Sequence, residues 1–164
     1  MSEQNQELYT AIDVRGENTT VCLINQFSQL IKELSSPTDS FGHDRGIGTA
    51  INLFKQLLTD QNLEYGQLKG IGISCPTLEV KFNNKSILLP FVFISAFEKE
   101  FPGITVRALG GVSCAALGEY HITYQSAPRS LFFLNWGNGI GGGLVINGKV
   151  WPGRQLIAGN IAHI

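Results

Sequence analysis

Strand-forming residues dominate Leu8-Tyr-Thr-Ala-Ile-Asp13, Thr19-Thr-Val-Cys-Leu-Ile24 and the stretch Phe27 to Leu34, with turn residues between them. That spacing predicts three antiparallel strands at the start of the chain. Pro37 to Asp44 reads as a loop. From Gly46 to Leu63 the apolar positions Ile47, Ala50, Ile51, Phe54, Leu57 and Leu58 recur at intervals of three and four, which marks one face of an amphipathic helix. Leu68 to Ser74 predicts a short buried strand, Phe93 to Phe101 a helix that Gly103 ends, and Ile104-Thr-Val-Arg-Ala108 another strand. A further helix is expected from Ser113 to Tyr124, packed on that strand through Ala116, Leu117 and Tyr120. Leu131, Phe132, Phe133 and Leu134 form an unbroken apolar run, the pattern of a strand covered on both faces.

Composition narrows the function classes. The chain has 164 residues, 43% of them hydrophobic, enough to bury one core in one domain. Twelve basic residues are scattered among thirteen acidic ones. Without a basic stripe, nucleic acid is not an expected partner. The apolar stretch Ser86 to Phe97 is too short to span a bilayer and is broken by Pro90, so it reads as core, and a membrane is not expected as a partner. Cys22, Cys75 and Cys114 are far apart and odd in number. They lack the close pairing of a structural zinc site and read as buried thiols in a reducing cytoplasm, with no zinc and no other metal site expected. The start of the chain does not look like a secretory signal, which also makes the cytoplasm the expected compartment.

The run from Asn135 to Lys149 puts five glycines into the seven residues Gly137 to Gly143, between two strand-like segments. Glycine removes the Cβ and tolerates positive φ, so consecutive N–H groups can converge on an anion. A phosphate is the simplest ligand for such a loop; a tight hairpin with no ligand reads much the same.

These residues, with their neighbours, resemble the ROK family of sugar kinases and repressors. Ser130 to Ile164 is similar to the segment where a strand, a G-T-G-x-G-G-G loop, a hairpin and A-G-E-x-G-H follow one another. Ala115-Ala-Leu-Gly-Glu-Tyr120 matches the end of the family's E-N-D-A-N-A-A-A-L-G-E-Y helix, and Gly70-Ile-Gly-Ile-Ser-Cys-Pro76 its G-I-G-x-P-G-P strand and loop. Asp13-Val-Arg-Gly-Glu-Asn18 falls where the family has D-I-G-G-T-N. The resemblance implies an α/β fold: a ribonuclease-H-like lobe of the actin and sugar-kinase superfamily, with a mixed sheet and helices packed on it. It implies a first lobe over residues 1–129, and a phosphate-loop hairpin opening the second lobe over residues 130–164. Members run on for about as many residues again, so the chain is expected to be truncated as well as degenerate. The family's repressors carry a winged helix ahead of the first strand, for which no room is seen here.

The departures from the family pattern fall on the chemistry. The aspartate of E-N-D is the family's general base, and that triplet reads Leu109-Gly110-Gly111. Gly111 therefore occupies the base position, and no catalytic residue is expected. Asp13 and Gly16 remain of the first phosphate loop, with Arg15 and Glu17 at the first glycine and the threonine. Arg15 could add a charge for an anion and Glu17 would repel one; an ordinary charged hairpin turn is the plainer reading. Gly137, Asn138, Gly139 and Gly141 are the expected phosphate contacts of the second loop. Asn160 stands for the sugar-gripping glutamate, and His163 is retained. The implied function is that of an inactive hexose or N-acetylhexosamine kinase homologue, with ATP and magnesium as weakly held cofactors and a sugar or nucleotide as a weak ligand. The alternatives are a working kinase completed by a partner chain and a non-catalytic interaction or regulatory module. A homodimer is expected, with the strand Leu131 to Leu134 and the hairpin through Asn147-Gly148 in the contact.

Overall fold

The computed structural model describes residues 6–39, 45–82, 85–137, 139–153, 158–159 and 161. By internal contacts the chain forms two compact units, residues 1–108 and 109–164.

The first unit is built on a five-stranded sheet with the order β3-β2-β1-β4-β7. Its strands are β1 (Leu8–Val14), β2 (Asn18–Asn25), β3 (Leu30–Pro37), β4 (Leu68–Cys75) and β7 (Val106–Gly110). The first three form the expected antiparallel meander, and β4 returns parallel to β1 through α1 (Ile47–Asp60). A parallel return needs such a crossover. β3 starts later than composition predicts because Asn25 makes a turn. Its Oδ1 accepts the N–H groups of Phe27 and Gln29, both at 3.0 Å, so Phe27 lies in the turn.

Alternate residues of β1, β2 and β4 point into one core, among them Ile12, Val14, Val21, Leu23, Ile71 and Ile73. α1 covers them with Ala50, Leu53, Phe54, Leu57 and Leu58, all but Leu53 of which belong to the predicted apolar face. Phe54, Phe97 and Phe101 form an aromatic group with centroids 4.8 to 6.1 Å apart. The second helix, α2, spans Leu89–Glu100 and not Phe93–Phe101. Pro90 sits in its first turn, where a proline has no hydrogen bond to lose. What reads as an interruption is thus a helix start. A small hairpin, β5 (Glu79–Phe82) with β6 (Lys85–Leu88), precedes it and was not foreseen.

The second unit holds α3 (Gly111–Gly118), which runs into a π turn over Glu119–Thr123, and a three-stranded sheet. That sheet has the order β10-β9-β8, from β8 (Ser130–Trp136), β9 (Ile140–Ile146) and β10 (Lys149–Val150). Its core is Ala116, Tyr120 and Val145, with Leu117, Leu131, Phe133 and Val150 packed around them. The apolar face of the helix was expected on the strand before it; the cluster that buries Ala116 and Tyr120 is completed by the hairpin after it. β8 also differs from expectation. Leu131 and Phe133 join that cluster, whereas Phe132 and Leu134 are 50% and 47% exposed, so only one face of the strand is covered.

Candidate functional site

In the first unit the strand order carries Asp13 to the end of β1, level with Ser74 of β4 and Thr20 of β2. Both carboxylate oxygens of Asp13 are engaged. The Ser74 hydroxyl donates to Oδ1 at 2.8 Å, and Arg15 Nε donates to Oδ2 at 2.6 Å. Arg15 itself is 78% exposed on its side chain, so this ion pair is solvent-screened. The turn is closed by its own backbone: Arg15 N–H donates to Asn18 O at 3.0 Å, and Glu17 O accepts from Thr38 N–H at 2.9 Å. Gly16 lies at the tip with open space where a Cβ would go. The sequence singled out Asp13 and Gly16 but not Ser74, whose role rests on the parallel pairing of β1 with β4.

In the second unit Gly111 is the first residue of α3, following Gly110, and no side chain caps this helix end. From Gly111 to Gly118 no residue bears a carboxylate, and Glu119 begins the π turn beyond.

The glycine-rich stretch divides into two parts. Gly137 and Gly139 form the turn between β8 and β9, with Gly137 N–H donating to Gly139 O at 2.9 Å and open space around both missing side chains. Gly141, Gly142 and Gly143 belong to β9, where their missing side chains make room for neighbours. A Cβ on Gly141 would lie 2.9 Å from Val112 Cγ2; one on Gly143 would lie 2.8 Å from the Ala116 methyl. On the opposite face, a Cβ on Gly142 would be 2.0 Å from the Gly159 carbonyl oxygen. Close packing accounts for these three glycines, and sequence reasoning could not see it because Val112 and Gly159 are distant along the chain. Asn138, Asn160 and His163 lie outside the described residues. Among the described residues no group of three or more His, Cys, Asp or Glu could hold a metal ion. Cys22, Cys75 and Cys114 are all thiols.

The ROK family profile matches residues 9–164. The chain belongs to the ROK family. It is 24% identical over 166 residues to an N-acetyl-D-glucosamine kinase of Haemophilus influenzae, covering 96% of this chain and 52% of that one. It is 26% identical to an N-acetylmannosamine kinase of Salmonella arizonae, covering 93% and 52%. The structure superposes on a ROK hexokinase from Thermus thermophilus with a TM-score of 0.76 at 21% identity, covering 96% of this chain and 52% of that chain. This ROK chain therefore has the actin-like sugar-kinase fold, a mixed sheet with helices packed on it, and spans about half the length of the curated relatives it matches. No helix among its described residues is long and apolar enough to cross a membrane.

Proposed function

We propose that this chain is a non-catalytic ROK sugar-kinase homologue, related to hexose and N-acetylhexosamine kinases, that keeps weak affinity for phosphate and sugar groups. The observation that carries this reading is Gly111 at the first position of α3. Phosphoryl transfer to a sugar hydroxyl needs a positioned group to accept the proton. Glycine offers none. Glu119 lies eight positions on, about 12 Å along a helix axis at the usual rise, and does not reach the same point. Gly110 likewise has no amide with which to fix a hydroxyl.

The remaining polar groups support binding without turnover. Asp13 is held by Ser74 and Arg15, and Gly137 and Gly139 have open space where side chains would otherwise stand, which leaves room for an anion to approach. The relatives' names, an N-acetyl-D-glucosamine kinase, an N-acetylmannosamine kinase and a hexokinase, support a hexose or N-acetylated hexosamine as the sugar, with ATP and magnesium as the donor that family membership implies. Calorimetric titration with ATP and magnesium tests the reading. A handful of polar contacts leaves a Kd no tighter than about millimolar once association costs are met; micromolar binding would show a complete nucleotide cleft and contradict it.

A further inference from the structure

Within the first unit, the segments that lead into β4 and β7 border a cavity of about 420 Å³. Leu68, the first residue of β4, and Ile104 are its buried lining and belong to the hydrophobic core. Ser74, level with Asp13, lies six residues further along β4, about 20 Å at the usual rise. The cavity is therefore at the other end of the sheet from Asp13 and independent of any phosphate site there.

Its walls are held in place by their own contacts. The Glu64 N–H donates to Gln67 Oε1 at 2.6 Å, and the Glu64 carboxylate accepts the Gln67 N–H in return, which fixes the short turn Tyr65–Gln67. Tyr65 is set against Phe101 with ring centroids 5.6 Å apart. Across the cavity, the ring of Pro102 fixes its φ. A preformed space of roughly 300–1,000 Å³, mostly apolar with a few polar groups, is the ordinary form of a small-molecule site. Gly66 and Gly103 also line it, each with open space where a Cβ would go. A φ of +90° accounts for the glycine at 103, whereas Gly66 has neither a positive φ nor a close neighbour. Its bareness keeps the mouth of the cavity open.

Among the described residues that line the cavity, Glu64 alone is charged. Lys69, next to Leu68, is engaged with Glu7 at 3.8 Å. A carboxylate has about four acceptor positions, so the bond from Gln67 leaves Glu64 able to accept a charged donor. Tyr65 adds an aromatic wall, which attracts a cation or a second ring. We infer that this cavity binds a small organic amine, its ammonium group on Glu64 and its apolar body against Leu68, Ile104 and Tyr65.

Titration of the ¹⁵N-labelled chain with benzylamine, followed through its amide resonances, tests the inference. Shifts should saturate at about millimolar concentration and centre on residues 64–68 and 103–104. Benzyl alcohol, of the same shape without the charge, should bind more weakly. Glu64→Gln keeps an oxygen for the Gln67 N–H and removes the charge, so it should weaken benzylamine about three- to fivefold, as loss of an exposed ion pair does, and leave benzyl alcohol unchanged. Gly66→Leu, placed in open space, should keep the circular dichroism of the wild type and lose both ligands. Shifts that do not saturate, that centre elsewhere, or that are the same for amine and alcohol would overturn the inference. If Gly66→Leu does not fold, Glu64→Gln decides, and unchanged benzylamine affinity in that variant would overturn it.

Discussion

A methyl group on Gly143 would stand 2.6 Å from the carbonyl oxygen of Val112. The acceptor is helix backbone and cannot rotate away, so β9 and α3 keep their spacing only while this position has no side chain. Gly143→Ala should cost about 1–3 kcal/mol through overpacking, a fall in Tm of roughly 2–12 °C for a chain of this size. Gly118→Ala is the control. It has helical dihedrals and open space around its missing Cβ, and should stabilise by up to about 1 kcal/mol. Equal thermal melts for wild type and Gly143→Ala would mean that packing is not why the glycine is there.

Gly46 carries two demands at once. Its φ of +87° is strained for any residue with a side chain, and its Cβ would lie 2.7 Å from Thr38 Cγ2 and 3.2 Å from Val14 Cγ1. The Thr19–Thr38 hydroxyl bond at 2.8 Å holds that methyl in place. Gly103 has a similar φ of +90° with nothing near it. Gly46→Ala should therefore cost more than Gly103→Ala, about 2–4 kcal/mol against about 1 kcal/mol for the backbone strain alone. Urea denaturation of the two variants gives the comparison, and equal losses would remove the packing half of the argument.

Much of the first unit was legible because its signals are local. The turn residues between β1 and β2 and the three-and-four spacing from Ile47 to Leu58 each lie within one element. The hairpin of β5 and β6 was not legible, since Ser86-Ile-Leu-Leu runs without a break into the apolar start of α2. The packing partner of α3 is not legible for a different reason. Ala116 and Tyr120 mark a buried face, but only tertiary structure shows that Val145 completes it. At the site, glycine density signalled close approach correctly. What approaches Gly141, Gly142 and Gly143 is Val112, Ala116 and Gly159, and no sequence pattern marks those residues as their neighbours.

Cys22 sits across from Glu33 on β3, its sulfur 3.6 Å from Oε2. Burial first, and then the Glu33 carboxylate, push this thiol up to about 11 from an ordinary value of 9.0. The neutral thiol is favoured in the folded chain, so its contribution to stability is complete below pH 9 and is lost as pH rises through 11. Alkylation of Cys22 at pH 8 should be much slower than in unfolded protein, and Glu33→Gln should speed it. A pH profile of iodoacetamide labelling, read by mass spectrometry at Cys22, checks this. A midpoint near 9 would contradict the burial assigned to the thiol.

The most direct measurement is transfer of the γ-phosphate of labelled ATP, with magnesium, to N-acetylglucosamine, N-acetylmannosamine or glucose by the purified chain. Loss of a general base alone lowers the rate by about 10² to 10⁴, so with glycine at position 111 no sugar-dependent product should appear above background. Transfer at ordinary enzyme rates, abolished by Asp13→Ala so that a contaminating kinase is excluded, would contradict the account.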